Sequence, residues 1–223
     1  MKPIIFSTLM VQAILDGRKT QTRRVIKLPK GATDLYVAWG VFPCYPSKSK
    51  IMPEKISDEP LKEPYKPGDV LYVKEAWATH KDFADVFEEL LTNGYYYKVD
   101  AMDMDWVDDC EIVRWRSPIF MPKEAARIFL RVTNVRIERL QDISEDDARA
   151  EGMESEEYLE YYEWAVSVAP PGSILPTIQS AFAGLWDKLN ARRGYGWDTN
   201  PWVWVIEFER ISKDEAYKKE GLK

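Results

Sequence analysis

The sequence of 223 residues predicts an α+β fold built around a bent antiparallel β-sheet or small β-barrel. Three observations predict this fold: several β-rich runs, short helices that are separated along the chain, and no regular alternation of strand and helix. Because 45% of the residues are hydrophobic, the chain can bury one substantial core with insertions, or two small cores, and we start from the first. We therefore expect a single domain over residues 1–212 and a charged, flexible tail over residues 213–223.

The first helix is expected over about residues 9–16. Ser7 or Thr8 can cap its first turn, and Gly17 ends it because glycine readily takes the left-handed backbone conformation of a helix stop. The octet "GRKTQTRR" follows directly, and residues 1–30 contain seven cationic side chains against one aspartate. The sequence therefore predicts a local positive site after the first helix, in a chain whose net charge is -6.

Two strands are expected in the middle of the chain. The Pro-Gly pair at 67–68 fits the two central positions of a type II turn, and a β-rich run follows over residues 69–78. Residues 127–140 alternate between apolar and polar side chains and then change phase, which predicts a strand with a bulge or bend near Thr133. Both strands are expected to lie in one curved sheet.

Two further helices and a strand complete the predicted elements. Ser144 caps a helix with the S-x-x-D spacing of a capping box, and Gly152 ends that helix. Another helix is expected over about residues 176–191. The run "PWVWVIEFERI" predicts the strand that closes the fold.

Composition excludes several functional classes. A pI of about 5.1 argues against a protein that coats duplex DNA, because such binding requires a broad cationic surface. Cys44 and Cys110 are the only cysteines and stand in no metal-ligand spacing, so we expect neither a disulfide framework nor a metal or other cofactor. No stretch approaches the ~18 apolar residues of a membrane span. A soluble, cytoplasmic protein is expected, and its oligomeric state is left open.

The spacing of Gly17, Lys19 and Arg24 resembles the signature of the ASCH domain family, in which an arginine stands five residues after the lysine of G-x-K. The order of the segments "ILDGRKTQTRR", "YKPGDVLYV", "SEDDARAEGM" and "WVWVIEFERI" is similar to the order of elements in that family. The resemblance covers roughly half of the chain. It implies a PUA-like β-barrel with short flanking helices, and it makes three segments look like the insertions of enlarged phage and prophage members, near residues 28–64, 79–115 and 154–200.

Within that family, the closest chemistry belongs to small amidohydrolases that remove the acetyl group from the exocyclic amine of acetylated cytidine. The resemblance places the lysine, threonine and glutamate of these enzymes on Lys19, Thr22 and Glu151. Amide cleavage requires a nucleophile, a base, a donor for the oxyanion and an acid for the leaving amine. The resemblance therefore implies Thr22 as nucleophile, Lys19 as a base whose pKa is lowered by burial or by neighbouring cations, and Glu151 as acid.

Two functional classes remain open at this point: an amidohydrolase acting on an acylated nucleoside, and a module that binds RNA or a modified base without turnover. Ligand contacts are expected from Arg18, Arg23, Arg24 and Trp77, and the expected partner is a nucleoside or single-stranded RNA. Each of these side chains also has an ordinary structural alternative, as a solvated charge, an ion-pair partner or a core residue. A third possibility is an accessory protein whose insertions bind a protein partner.

Overall fold

The computed structural model describes residues 1–27, 36–38, 42–44, 63–79, 94–102, 114–153 and 177–219. The strands in these segments are β1 (Lys2–Ile5), β2 (Gln21–Val25), β3 (Tyr36–Ala38), β4 (Phe42–Cys44), β5 (Val70–Lys74), β6 (Trp77–Thr79), β7 (Tyr95–Tyr97), β8 (Phe129–Arg139) and β9 (Trp202–Ile211). The α-helices are α1 (Thr8–Leu15), α2 (Glu145–Ala150), α3 (Ile178–Asn190) and α4 (Lys213–Lys219). The predicted α+β class is therefore confirmed.

Five strands form one sheet in the order β1-β5-β8-β9-β2, and β3-β4 and β6-β7 form two small two-stranded antiparallel sheets. The strands predicted after the Pro-Gly turn, around Thr133 and at "WVWVIEFERI" all lie in the five-stranded sheet, as expected. The sheet is mixed rather than antiparallel, because β1 pairs parallel with β5. Among the described strands no pairing joins β1 to β2, so a closed barrel is not observed.

The two edges of the sheet nevertheless approach each other. The Arg24 guanidinium of β2 donates a hydrogen bond to the carbonyl of Ile5 in β1 at 2.8 Å. The ring of Phe6, directly after β1, lies 6.1 Å from the ring of Phe208 in β9. The pairing of β8 with β9 shifts register at Thr133, and such a bulge bends a strand. The sheet is therefore curled, with a gap between its edge strands.

Apolar side chains cover both faces of the sheet, which explains the nearly continuous apolar run of β9. Trp204, Ile206 and Phe208 point into the core that includes α1. Val203 and Val205 point to the other face, where α2 and α3 pack. Because successive side chains of a strand alternate between faces, a strand buried on both sides must be apolar at successive positions.

The Pro-Gly turn is confirmed, since the amide of Asp69 donates to the carbonyl of Lys66 at 2.9 Å and Gly68 has a φ of 87°. The predicted β-run over residues 69–78 is interrupted, however, between β5 and β6. The interruption falls at Glu75, which is buried and whose carboxylate accepts a hydrogen bond from Arg127 at 3.1 Å. A buried carboxylate needs such a partner, and the chain leaves the large sheet where it is satisfied.

Within the tail expected over residues 213–223, Lys213–Lys219 form the helix α4, and residues 220–223 lie outside the described residues. Ser212 and Glu215 form a capping box: the Ser212 hydroxyl accepts from the Glu215 amide at 3.2 Å, and the Glu215 carboxylate accepts from the Ser212 amide at 3.0 Å. Ala216 is fully buried, and the ring of Tyr217 lies 5.9 Å from the ring of Phe129. The many charged residues of this segment therefore suggested a flexible tail, although the segment forms an amphipathic helix.

The hairpin β3-β4 lies inside the predicted insertion at 28–64, and α3 and the residues after it lie inside the one at 154–200. The remainder of the insertions falls largely outside the described residues. In the helices that the structure describes, none combines the length and apolar character needed to cross a membrane.

Candidate functional site

A tight turn between α1 and β2 positions Lys19. Gly17 ends α1 with a φ of 76°, and the amide of Lys19 then donates to the carbonyl of Ala13 at 2.9 Å. The next amide, that of Thr20, donates to the carbonyl of Ala150 at 2.9 Å. These bonds fasten the segment before β2 to the C-terminal end of α2, so the beginning of the basic octet is held by backbone contacts.

The C-terminal end of α2, which contacts the segment before β2, positions Glu151. It is the residue that ends α2, and Gly152 follows it with a φ of 86°. A Cβ atom at Gly152 would lie 2.8 Å from Cβ of Ala13 and 3.1 Å from Cβ of Lys19. Only glycine therefore allows α2 to end so close to α1, and this close approach brings Glu151 beside Lys19.

The side chains of Lys19 and Glu151 form a buried ion pair. The Lys19 ammonium donates to Oε2 of Glu151 at 2.7 Å and to the carbonyl of the same residue at 2.9 Å. Only 0% and 4% of the two side chains are exposed. Burial lowers the pKa of Lys19, while the charge and hydrogen bond of Glu151 raise it and the charges of Arg24 and Arg23 lower it further.

Arg23 extends this pair into a larger network. Nη1 of Arg23 donates a hydrogen bond to Oε1 of Glu151 at 3.2 Å. The other hydrogen bonds of the Arg23 guanidinium are accepted by the carboxylates of Glu138 and Asp147. Arg136 reaches Asp147 as well, at 3.0 Å. The network therefore joins α2 to β2 and β8, and its charges fix the carboxylate of Glu151 in place.

A cavity of about 570 Å³ lies against this network, in the region where β1 and β2 face each other and α3 covers the gap. Its polar wall is formed by side chains from the β1-α1 segment, β2, α2 and the end of α3, and its apolar wall comes mainly from α3. The polar lining residues are Ser7, Thr22, Arg23, Arg24, Lys27, Glu151, Asn190, Arg193 and Tyr195. The apolar ones are Ile5, Met10, Val25, Phe182, Leu185, Trp186 and Leu189.

The lining is strongly positive, with four cationic side chains and one carboxylate. Arg24 is half-buried, and removal from water lowers the pKa of its guanidinium. Within the described part of the chain, no carboxylate forms a salt bridge with Arg24, and its hydrogen bond goes to the neutral carbonyl of Ile5. The cavity of an otherwise acidic protein thus offers a cationic wall.

No protein-family model, curated protein or solved structure matches this chain. The geometry and chemistry of the cavity are therefore the basis on which a function can be assigned.

The structure brings together most of the residues that the sequence singles out. Thr22, Glu151, Arg23 and Arg24 all line the cavity. Lys19 lies behind Glu151 and is not among the described residues that form the cavity wall. The three residues of the predicted catalytic triplet are thus neighbours, but only two of them face the cavity.

Two predicted ligand contacts lie elsewhere. Arg18 binds the carboxylate of Asp16 at 2.7 Å and the carbonyl of Gly152 at 3.2 Å, outside the cavity lining. Trp77 is buried in the core beside β7, where its backbone bridges to Arg116. Its position near a strand end is therefore explained by packing, and it is not among the lining residues described.

Sequence reasoning missed Arg193 and Tyr195, which reach the cavity from the segment after α3. The only signal for them is the composition of "ARRGYG", in which an aromatic residue stands among cations and glycines. As for metals, the described residues contain no group of three or more His, Cys, Asp or Glu side chains that could hold an ion.

Proposed function

We propose that the protein is an amidohydrolase that removes an acyl group from the exocyclic amine of a modified nucleoside such as acetylated cytidine. We further propose that the curled sheet is a PUA-like barrel of the ASCH type, whose unpaired edges leave the gap that the cavity occupies. One observation carries the proposal: the hydroxyl-bearing Thr22 and the carboxylate of Glu151 line the same cavity, and Lys19 is bonded to that carboxylate.

In the proposed reaction, the Thr22 hydroxyl attacks the amide carbonyl while Glu151, the lining carboxylate, accepts the hydroxyl proton. The carbonyl oxygen becomes an oxyanion. Of the five N–H groups of Arg23, four are engaged within the described residues, so one remains to stabilise this oxyanion. Glu151 then returns its proton to the leaving amine, and water hydrolyses the acyl-threonine ester.

Lys19 has a supporting part in this scheme, as the residue that orients Glu151. The resemblance to acetylcytidine amidohydrolases implies a base at this position, but the ammonium lies behind the carboxylate. The 2.7 Å hydrogen bond from the Lys19 ammonium holds this carboxylate in place beside the cavity. Lys19 thereby positions Glu151 without touching the substrate.

The proposal is tested with acetylated cytidine as substrate, by measuring the release of cytidine and acetate. Thr22→Val removes the hydroxyl and should lower kcat by at least about 100-fold, whereas Thr22→Ser should retain part of the activity. Thr20→Val is the matched control, since Thr20 is exposed and lies outside the cavity lining. Full activity of Thr22→Val, with melting temperatures that show folded variants, would contradict the proposal.

A second candidate function is binding without turnover, of a nucleoside or short single strand in preference to duplex. The observation that favours it is that Lys19 and Arg23 both hold the Glu151 carboxylate, which suits a fixed structural element. In that case wild type would bind cytidine derivatives but release no acetate. Glu151→Gln would then lower the affinity for cytidine derivatives or the melting temperature, and neither protein would release acetate.

A further inference from the structure

The cavity contains a cation for which hydrolysis of the acyl group provides no use. Arg24 lines the wall, its guanidinium lies 5.4 Å from the ring centre of Phe6, and one of its five N–H groups is occupied by the carbonyl of Ile5. A charge that is partly removed from water is costly unless a counter-charge or full hydrogen bonding compensates it. A ligand anion would supply that compensation.

Two more cations extend this positive wall. Lys27 and Arg193 line the cavity, and both are exposed. Within the described part of the chain, neither has an ion-pair partner. Both side chains line the same cavity as Arg24, so an anion in that cavity would meet further positive charge.

The cavity also offers an aromatic ring on which a flat base could stack. Tyr195 is half-buried and lines the cavity with Leu185 and Leu189 of α3. Bases stack readily on aromatic side chains, and Thr22 and Glu151 line the same cavity as Tyr195. The volume of about 570 Å³ falls within the ~300–1,000 Å³ range of small-molecule sites.

We propose that the ligand is a nucleoside monophosphate, whose phosphate is bound by Arg24, Lys27 and Arg193 while its acylated base faces Thr22 and Glu151. This inference rests on the function proposed above and names its substrate class. The phosphate recognised could belong to a free nucleotide or to an oligonucleotide. The cavity volume favours the free nucleotide, and the experiment separates the two.

The phosphate site is tested first by binding, with cytidine, cytidine monophosphate and inorganic phosphate as probes in calorimetry. Cytidine monophosphate should bind at least about tenfold more tightly than cytidine, because charge-assisted hydrogen bonds to the phosphate add to the contacts of the base. Arg24→Gln and Arg193→Gln should each remove most of this preference. Arg192→Gln is the matched control, because Arg192 is the adjacent exposed arginine and does not line the cavity.

Turnover then separates this inference from the hydrolase proposal. Acetylated cytidine monophosphate should be cleaved with a higher kcat/KM than acetylated cytidine. In Arg24→Gln, the kcat/KM values of the two substrates should be closer to each other than in wild type. Equal kcat/KM values would overturn the phosphate inference and leave the hydrolase proposal intact. Binding that depends on Arg24 with no cleavage of either compound would overturn the hydrolase and retain the phosphate site. An oligonucleotide that binds more than tenfold tighter than the mononucleotide would overturn the choice of a free nucleotide.

Discussion

Lys19 depends strongly on its neighbours, because its side chain has no exposure to water. Its pKa is lowered from the ordinary value of 10.5, chiefly by burial. Between the folded pKa and 10.5, the unfolded chain therefore binds more protons at this site than the folded protein does. The free energy of unfolding should consequently rise with pH in this alkaline range.

Lys19→Met should abolish that pH dependence. Urea unfolding of wild type and Lys19→Met from pH 7 to pH 10 should show a steeper rise in the free energy of unfolding for wild type, since other alkaline groups titrate equally in both proteins. Parallel curves would mean that the ammonium is as easily deprotonated in the folded protein as in the unfolded chain.

The sequence could predict part of the site at this scale. Thr22, Arg23, Arg24 and Glu151 are identified because they lie in short motifs, and all four line the cavity. Arg193 and Tyr195 could not be predicted, since they reach it only through the docking of α3 against the sheet. The position of Lys19 behind Glu151 could not be predicted either, because it depends on two distant chain segments that backbone hydrogen bonds join.

At the scale of elements, the junction of α1 with α2 depends on one glycine. Gly152→Ala should lower the free energy of unfolding by about 2–4 kcal/mol, from the left-handed backbone and the collision with Ala13 together. Gly17→Ala is the matched control: Gly17 also follows a helix with positive φ, but a Cβ atom there meets nothing within 4 Å. It should cost about 1–2 kcal/mol in urea unfolding. Equal losses would show that packing at the junction contributes little.

The helix α4 provides a second test at this scale. Ala216→Arg should lower the free energy of unfolding by about 1–3 kcal/mol, because it forces a charge into a fully buried position. Lys218→Arg, at an exposed position of the same helix, should change it by less than about 0.5 kcal/mol. The same small effect for both variants would restore the idea of a flexible tail.

Elements whose signals are local were predicted well, and those set by distant contacts were not. The Ser144 cap of α2, the glycines that end α1 and α2, the Pro-Gly turn and the bulge at Thr133 all follow from nearby residues. Ser7 stands at the N-cap position of α1, but its side chain forms no capping hydrogen bond. The parallel pairing of β1 depends on where α1 carries the chain, and the break at Glu75 depends on an arginine 52 residues away. No periodicity in the sequence contains that information.

Across the whole molecule, the ion network around Asp147 links α2 to β2 and β8. Burial acts to raise the pKa of Asp147, but the hydrogen bond from Gln21 and the charges of Arg23 and Arg136 outweigh it and lower the pKa below 3.8. A carboxylate with a lowered folded pKa stabilises the protein above its unfolded pKa, and this contribution is lost as the pH falls through the folded pKa. The network should therefore weaken in acid.

Asp147→Asn should lower the free energy of unfolding at pH 7, and the difference from wild type should shrink as the pH falls below 3.8. Urea unfolding between pH 7 and pH 3 measures this difference, with Asp146→Asn as control because the neighbouring Asp146 is largely exposed. If the difference in free energy of unfolding between wild type and Asp147→Asn does not change with pH, the charge of the Asp147 carboxylate does not stabilise the protein.

The pairing of β2 with β9 has a consequence for folding during synthesis of the protein. Residues 26–201 separate these two strands, and among the described strands β9 is the sole partner of β2. During synthesis the basic octet emerges early, but the strand that fixes it to the sheet is translated much later. Non-local pairing of this kind delays completion of a fold. A premature stop codon before Trp202 would therefore yield chains that contain the cationic segment but lack the strand that pairs with β2.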